Sequence, residues 1–279
     1  MIFQINNNIA SVNVQRQLTE NSAGLNKSLA RLSSGLRINT AADDAAGLAV
    51  SEKMRSELIG LRQASRNASQ ATTIIQTAEG GYQEIEGVLQ RLKELAVQSS
   101  DSSLSDTDRD VIEVEVAQQL SEIDRIANST NFNGMSLITG GAAGTSLTFQ
   151  VGAGGNNDQI SITIKGANTN ALANLSSITS ADFGTAASAT AAIDVIDNAV
   201  TSLNLNRADI GAFQNRLGRV VSNLGTIIEN TQAAESVIRD ADIAVEVADM
   251  TRSQILVQAG VSMLGQANIT PQNALALLP

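Results

Sequence analysis

The stretch LRQASRNASQATTIIQTAEGGYQEIEGVLQRLKELA, residues 61–96, decides the fold. Leu61, Ala64, Ala68, Ala71, Ile75, Ala78, Tyr82, Ile85, Leu89, Leu92 and Ala96 succeed one another at alternating spacings of three and four. This is the heptad repeat of a helix that buries one narrow seam against other helices, and the period-two alternation of a strand has no place in it. At ~1.5 Å per residue the helix is roughly 55 Å long. It therefore needs partners of similar length, in the same chain or in other copies.

Working outward, Asp43 and Asp44 precede this helix and predict an N-terminal cap rather than a metal or acid/base pair. The helix should run from about Asp43 to about Gln98. A Ser/Asp-rich turn follows, with an N-cap at Ser105 or Thr107 opening a third helix whose face is Val116, Leu120, Ile123 and Ala127. The sequence NFNG, residues 131–134, has hairpin-turn chemistry. Leu147–Val151 and Ile160–Ile164 predict a β-hairpin at about 145–165, with Ile160, Ile162 and Ile164 on one face. The intervening glycines at 152–155 are followed by no lysine and no helix, so they read as a turn and not a phosphate cradle.

Residues 166–189 are small, polar and weakly patterned, and read as a surface excursion. From about Ala191 a fourth long helix carries Ile193, Ile196, Val200, Leu203, Ile210, Leu217, Val221, Leu224 and Ile228 in register, with Gly211, Gly218 and Gly225 every seven residues. Three such glycines, each costing ~1 kcal/mol of helix propensity, predict a helix packed closely against them.

The two ends share the helical spacing. Ile5, Ile9, Val12, Leu18, Leu25, Leu29 and Leu32 form the N-terminal seam, and Ile243, Val247, Met250, Val257, Val261 and Leu264 the C-terminal one. Residues 253–279 contain no charged side chain, so this segment is expected to lie among other protein helices. The two ends should pair side by side, too weakly to persist alone, and become helical when copies assemble.

Composition narrows the function. The 279 residues include no His and no Cys, which removes the commonest general base, thiolate metal sites and disulfides; no enzyme and no cofactor is expected. A net charge of −10, from 18 basic and 28 acidic residues, opposes nucleic acid and anionic membrane as partners. The opening MIFQINNNIA has neither a basic n-region nor a long apolar run, and no stretch approaches the ~20 apolar residues of a membrane span. Export, where it occurs, is expected by a route that uses no cleaved signal.

Several motifs then carry a resemblance: LSSGLRINTAADDAAGLAVSEKM (residues 32–54), LQRLKELAVQ (89–98), the NFNG turn, IRDADIAVEVADMTRSQIL (238–256), QAGVSMLGQAN (258–268) and PQNALALL (271–278). Together they resemble bacterial flagellin, over both ends and nearly all of the helical part. The resemblance implies a mainly α fold: a long antiparallel helical bundle or coiled coil with a small β-hairpin region and paired N- and C-terminal helices. It implies an inner domain of residues 1–42 plus 236–279, a bundle domain of residues 43–235, and outer domains absent or reduced to a loop at about 166–189. It also implies a subunit that polymerises with its own kind into the extracellular flagellar filament for swimming. The implied partners are the export apparatus, a secretion chaperone, and the filament cap and junction proteins. Recognition of the monomer by Toll-like receptor 5 is implied at the matching positions Arg91, Leu95 and Glu115, a surface whose first role is subunit contact. Two other readings stand beside it: a hook–filament junction protein, and a secreted helical protein that inserts in membranes.

Overall fold

The computed structural model describes residues 7–141, 143–173 and 175–275. Among them are five α-helices: α1 (Ile9–Ser34), α2 (Ala45–Ser99), α3 (Asp106–Ser129), α4 (Ala186–Arg239) and α5 (Ile243–Leu275). Four short strands, β1 (Asn131–Phe132), β2 (Met135–Ser136), β3 (Thr145–Gln150) and β4 (Gln159–Ile164), form two antiparallel pairs, β1 with β2 and β3 with β4. The chain divides into two compact units, Met1–Leu58 with Glu229–Pro279, and Ile59–Ile228.

The unit Ile59–Ile228 is the helical bundle. Every seam residue from Leu61 to Ala96 is buried, Leu61 the most exposed at 6%. Lys93 pairs with Asp197 at 2.5 Å, Arg207 with Glu86, and Gln214 donates to Glu79 at 2.6 Å. Leu61 and Ala64 cluster with Leu224. Positions on α4 rise as those on α2 fall, so the two run antiparallel and the seam is satisfied within the chain. At the far end Ser105 accepts from Asp108 N and Asp108 from Ser105 N, a reciprocal capping box that starts α3. Arg109, 6% exposed, donates to the carbonyls of Ser99, Asp101 and Leu104 at 3.0, 2.7 and 3.0 Å. A cation there satisfies carbonyls at the end of α2 and complements the negative end of its dipole.

The β-structure covers this bundle. Asn133 and Gly134 take φ of 51° and 77° between β1 and β2, the left-handed pair that a two-residue hairpin turn demands. In β4, Ile160, Ile162 and Ile164 are buried while Gln159, Ser161 and Thr163 are exposed. Leu147 and Phe149 stand opposite Ile162 and Ile160. Tyr82 Oη donates to the Lys165 carbonyl at 2.5 Å and ties the strand end to α2.

Two expectations are corrected in this unit. Residues 166–189 are not a surface excursion: Leu172, Leu175 and Phe183 are fully buried in the main core. Asp124 accepts from the backbone N and hydroxyl of Thr169, and Ser99 Oγ donates to the Phe183 carbonyl at 2.5 Å. Short 3₁₀ turns at Leu175–Ser177 and Ser180–Phe183, with the bend before the first, place these few apolar residues inward without a constant period. Periodicity therefore carries no sign of them. Gly211, Gly218 and Gly225, for their part, are not packed against another helix; a Cβ at any of them would meet nothing within 4 Å.

In the other unit α1 and α5 pair antiparallel. Asn8 Nδ2 donates to the Ala267 carbonyl at 2.8 Å, Leu18 lies beside Gly260, Ser253 beside Gly24, and Arg31 lies 3.6 Å from Glu246. Both segments are helical, over Ile9–Ser34 and Ile243–Leu275. Gly35, at φ 72°, ends α1 with its N–H on the Arg31 carbonyl. The turn after α1 joins the α4–α5 break through Arg37 N to Arg239 O (2.7 Å) and Ala241 N to Gly35 O (2.9 Å). Of the aspartate pair, Asp44 caps α2 as expected, while Asp43 turns back to the preceding loop. Asp44 accepts from Gly47 N at 2.8 Å, and Asp43 accepts from Thr40 and bonds Lys27 at 2.7 Å.

The Lys27 ammonium, with help from the N–H groups of Thr40 and Asn39, lowers the Asp43 carboxyl to about 2. Its contribution is complete above the unfolded-state value near 3.8 and disappears as pH falls through about 2. Thermal unfolding followed by circular dichroism between about pH 4 and pH 2 should therefore show a shallower acid decline for Asp43→Asn than for the natural protein.

Candidate functional site

Two surfaces bear on function, one on each unit. The first is the α1–α5 pair. The structure places Leu18, Leu25 and Leu32, and Met250, Val257 and Leu264, half-buried at the seam. Ile9 and Val12 are 62% and 63% exposed, and Leu29, Ile243, Val247 and Val261 also face outward. Ile5 lies outside the described residues. Of the expected seam residues that are described, Leu18, Leu25, Leu32, Met250, Val257 and Leu264 thus lie at the contact and the others face outward. The observed one runs Ser11, Val14, Leu18, Asn21, Leu25, Ser28, Leu32 against Glu246, Met250, Ser253, Val257, Gly260, Leu264, Ala267.

Both series alternate threes and fours, and both are rich in small or polar residues. Among the described side chains of the two helices only Ser28 and Glu246 are buried. Glycine explains the close approach: a Cβ on Gly260 would lie 3.2 Å from Leu18 Cδ1. The register is held by charge, with Arg31 placed between Glu246 at 3.6 Å and Asp43 at 3.9 Å. The large apolar side chains that the seam does not use, Ile255, Leu256 and Met263 among them, add to the outward face. The heptad spacing of Ser28, Ser253 and Gly260 was visible in the sequence, but their small size concealed their place at the contact.

The second surface is a groove between α2 and α3, lined by Arg91, Leu95, Gln98, Leu104, Asp108, Val111, Ile112 and Glu115. Here the structure brings the three predicted residues together. Arg91 donates to Glu115 at 2.8 Å and to Glu94 at 3.0 Å. Hydrogen bonds to Glu94 and then Glu115 raise the guanidinium pKa further above its ordinary value. Leu95 is corrected: at 1% exposure it belongs to the core and forms the floor of the groove, not the outward face. Of its rim, Val111 is 70% exposed. Hydrogen bonds to Ser103 and Ser105 hold the nearby carboxyls of Asp101 and Asp108 below the usual range, so both stay ionised.

A pair of long helices that uses Leu18, Leu25, Leu32, Met250, Val257 and Leu264 at its own contact and still turns Ile9, Val12, Ile255 and Val261 outward carries more apolar surface than that contact covers. Residues 5–143 match the bacterial flagellin N-terminal helical region, and residues 193–278 the bacterial flagellin C-terminal helical region. The chain is 44% identical over 288 residues to the flagellar filament 30.7 kDa core protein of Treponema maltophilum, covering 98% of this chain and 99% of that one. It is 42% identical over 304 residues to a flagellin of Bacillus subtilis (strain 168), covering 99% and 100%. The structure of a putative flagellar hook-associated protein from Vibrio parahaemolyticus has a TM-score of 0.60 at 16% identity, covering 71% of this chain and 99% of that one; at that identity it shows a shared fold alone. The chain belongs to the bacterial flagellin family, and it is a structural subunit of the flagellar filament.

Because Leu95 is core and Arg91 is rim, truncating them should act differently. Leu95→Ala should lower the unfolding free energy by about 2–5 kcal/mol, and Arg91→Ala by about 1 kcal/mol or less, both measured by urea denaturation of the monomer.

Proposed function

We propose that this chain polymerises through the outward apolar face of its α1–α5 pair, which neighbouring copies cover in the filament. The carrying observation is that Ile9, Val12, Ile255, Val261 and Met263 are each more than half exposed, on helices whose own seam alternates half-buried Leu, Val and Met with small and polar residues. Exposed apolar area of this extent marks a surface meant for other protein, and burial there contributes roughly 25 cal/mol per Å². The unit Met1–Leu58 with Glu229–Pro279 serves as the inner, assembling domain, and Ile59–Ile228 as the bundle domain. The same reading makes the chain an extracellular protein that is delivered by the flagellar export apparatus with a secretion chaperone and assembles between junction and cap proteins. Among the described residues no helix is long and apolar enough to cross a membrane.

Charging this face should separate folding from assembly. The variant carrying Ile255→Asp and Val261→Asp should keep the thermal unfolding of the bundle within a few degrees of the natural monomer yet form no sedimentable filaments. Normal filament formation by this variant would remove the face from the assembly contact.

A second reading concerns the free monomer: recognition by Toll-like receptor 5 at the α2–α3 groove. The half-exposed Arg91, held towards Glu115 by its ion pair, supports it. Arg91→Ala should reduce receptor activation by a monomeric preparation about tenfold, as removal of an interface hot spot worth ~1.4 kcal/mol does; unchanged activation sinks this assignment.

A further inference from the structure

Asn133–Gly134 is the one Asn–Gly step in the chain, and the fold leaves both of its reacting groups open. The two residues, at φ 51° and 77°, form the exposed tip of the β1–β2 hairpin. Among the described residues the Asn133 side-chain amide makes no hydrogen bond, whereas that of Asn131, two residues earlier, donates to the Ser129 carbonyl at 2.9 Å. A Cβ on Gly134 would meet nothing within 4 Å, so no neighbouring side chain shields its backbone nitrogen. The tip is held by two residue pairs, Asn131 with Ser136 and Phe132 with Met135, and all of these but Phe132 are exposed. A ladder that short is marginal on its own and opens locally at a free energy well below that of the core. The base beneath it is firm. Leu137 and Ile138 are fully buried, the Leu137 N–H donates to the Thr130 carbonyl at 3.1 Å, and a Cβ on Gly81 of α2 would lie 2.7 Å from Thr130 Oγ1 and 2.8 Å from Ile138 Cδ1. A pliable tip thus stands on a fixed base.

We infer that Asn133 is a self-modifying site, at which the Gly134 nitrogen attacks Asn133 Cγ. The nitrogen gives its proton to solvent hydroxide and forms a bond to Cγ. The bond from Cγ to the side-chain nitrogen breaks, and that nitrogen takes a proton from water and departs as ammonia. Water then adds to one of the two carbonyls of the cyclic imide and reopens it, either to an aspartyl residue or to an isoaspartyl one whose main chain runs through Cγ. Water and hydroxide are the sole co-reactants. Glycine at 134 matters twice: it has no Cβ to hinder the attacking nitrogen, and it moves freely through the dihedrals that the turn must visit. Either product adds a negative charge to a chain already at −10. The isoaspartyl form also lengthens the turn by one main-chain atom, which a two-residue hairpin turn does not absorb, so the β1–β2 register is lost while the base at Gly81 stays. The extent of conversion records how long a copy has existed, as monomer or in a filament, and the inference therefore stands apart from the polymerisation reading.

The test holds the natural full-length protein, folded, in mildly alkaline buffer and digests samples with trypsin at intervals, subtracting a zero-time sample. Cleavage after Arg125 and Lys165 releases residues 126–165, which carry Asn128, Asn131 and Asn133 together, and fragmentation mass spectrometry assigns the acid and its isoaspartyl isomer to each position. Conversion at Asn133 should be at least about tenfold faster than at Asn128 or Asn131, because Asn133 alone of the three precedes glycine. It should quicken with pH and give a mixture of both products. Asn133→Gly keeps a residue suited to positive φ and should show no comparably fast gain of acid anywhere in the peptide. The comparison among the three asparagines lies within the natural protein, so it decides even where the variant fails to fold. Conversion at Asn133 no faster than at Asn131, a rate indifferent to pH, a purely aspartyl product, or conversion seen only after unfolding in urea would each overturn the inference.

Discussion

Small and polar residues at the α1–α5 contact determine what this molecule can do. Ser28 and Glu246 are the buried positions among the described side chains of that pair, and Gly24 and Gly260 admit Ser253 and Leu18 between the backbones. Such a contact fixes register through Arg31, Glu246 and Asp43 but buries little apolar area. A second set of large side chains, Ile9, Val12, Ile255 and Val261 among them, faces outward, where a single chain has nothing to cover them. Had Ile9, Val12, Ile255 and Val261 filled the seam instead, the pair would be more stable alone and would have less to gain from neighbours.

The bundle follows the opposite rule. Its seam from Leu61 to Ala96 is completed by α3, α4 and the β3–β4 hairpin, all within one chain, and includes Tyr82, Ile85 and Leu89 at full burial. Alanine fills one half of the seam and larger residues the other. Ion pairs such as Lys93 with Asp197 lie on the flanks, about half exposed, where they contribute little stability but favour one antiparallel register. Assembly can therefore draw on the terminal pair and the outer faces of the bundle without disturbing the core.

Much of this was legible from residue spacing. The α2 seam, the Ser105 cap, the Asp44 cap and the alternation of Ile160, Ile162 and Ile164 each follow from a local rule. What was not legible shares a physical cause: the deciding property is a neighbour, not a period. Leu95 lies four residues from Arg91 on the helix, yet it turns inward because α3 crosses there. Leu175 and Phe183 reach the core through 3₁₀ turns, and Leu172 through the bend before the first, with no repeat. The terminal seams were half read because large apolar residues were given priority over small ones at the same heptad spacing. The glycines at 211, 218 and 225 predicted a close partner, and the single chain leaves them open.

The central claim is that the terminal pair is weakly held in the free chain and becomes buried when copies assemble. Peptide-resolved amide hydrogen exchange, on monomer and on filament at the same pH and temperature, tests it most directly. The account predicts rapid exchange across α1 and α5 in the monomer and a large gain of protection there in the filament. Residues 61–96 should exchange slowly in both. Equal protection of α1 and α5 in monomer and filament would contradict it.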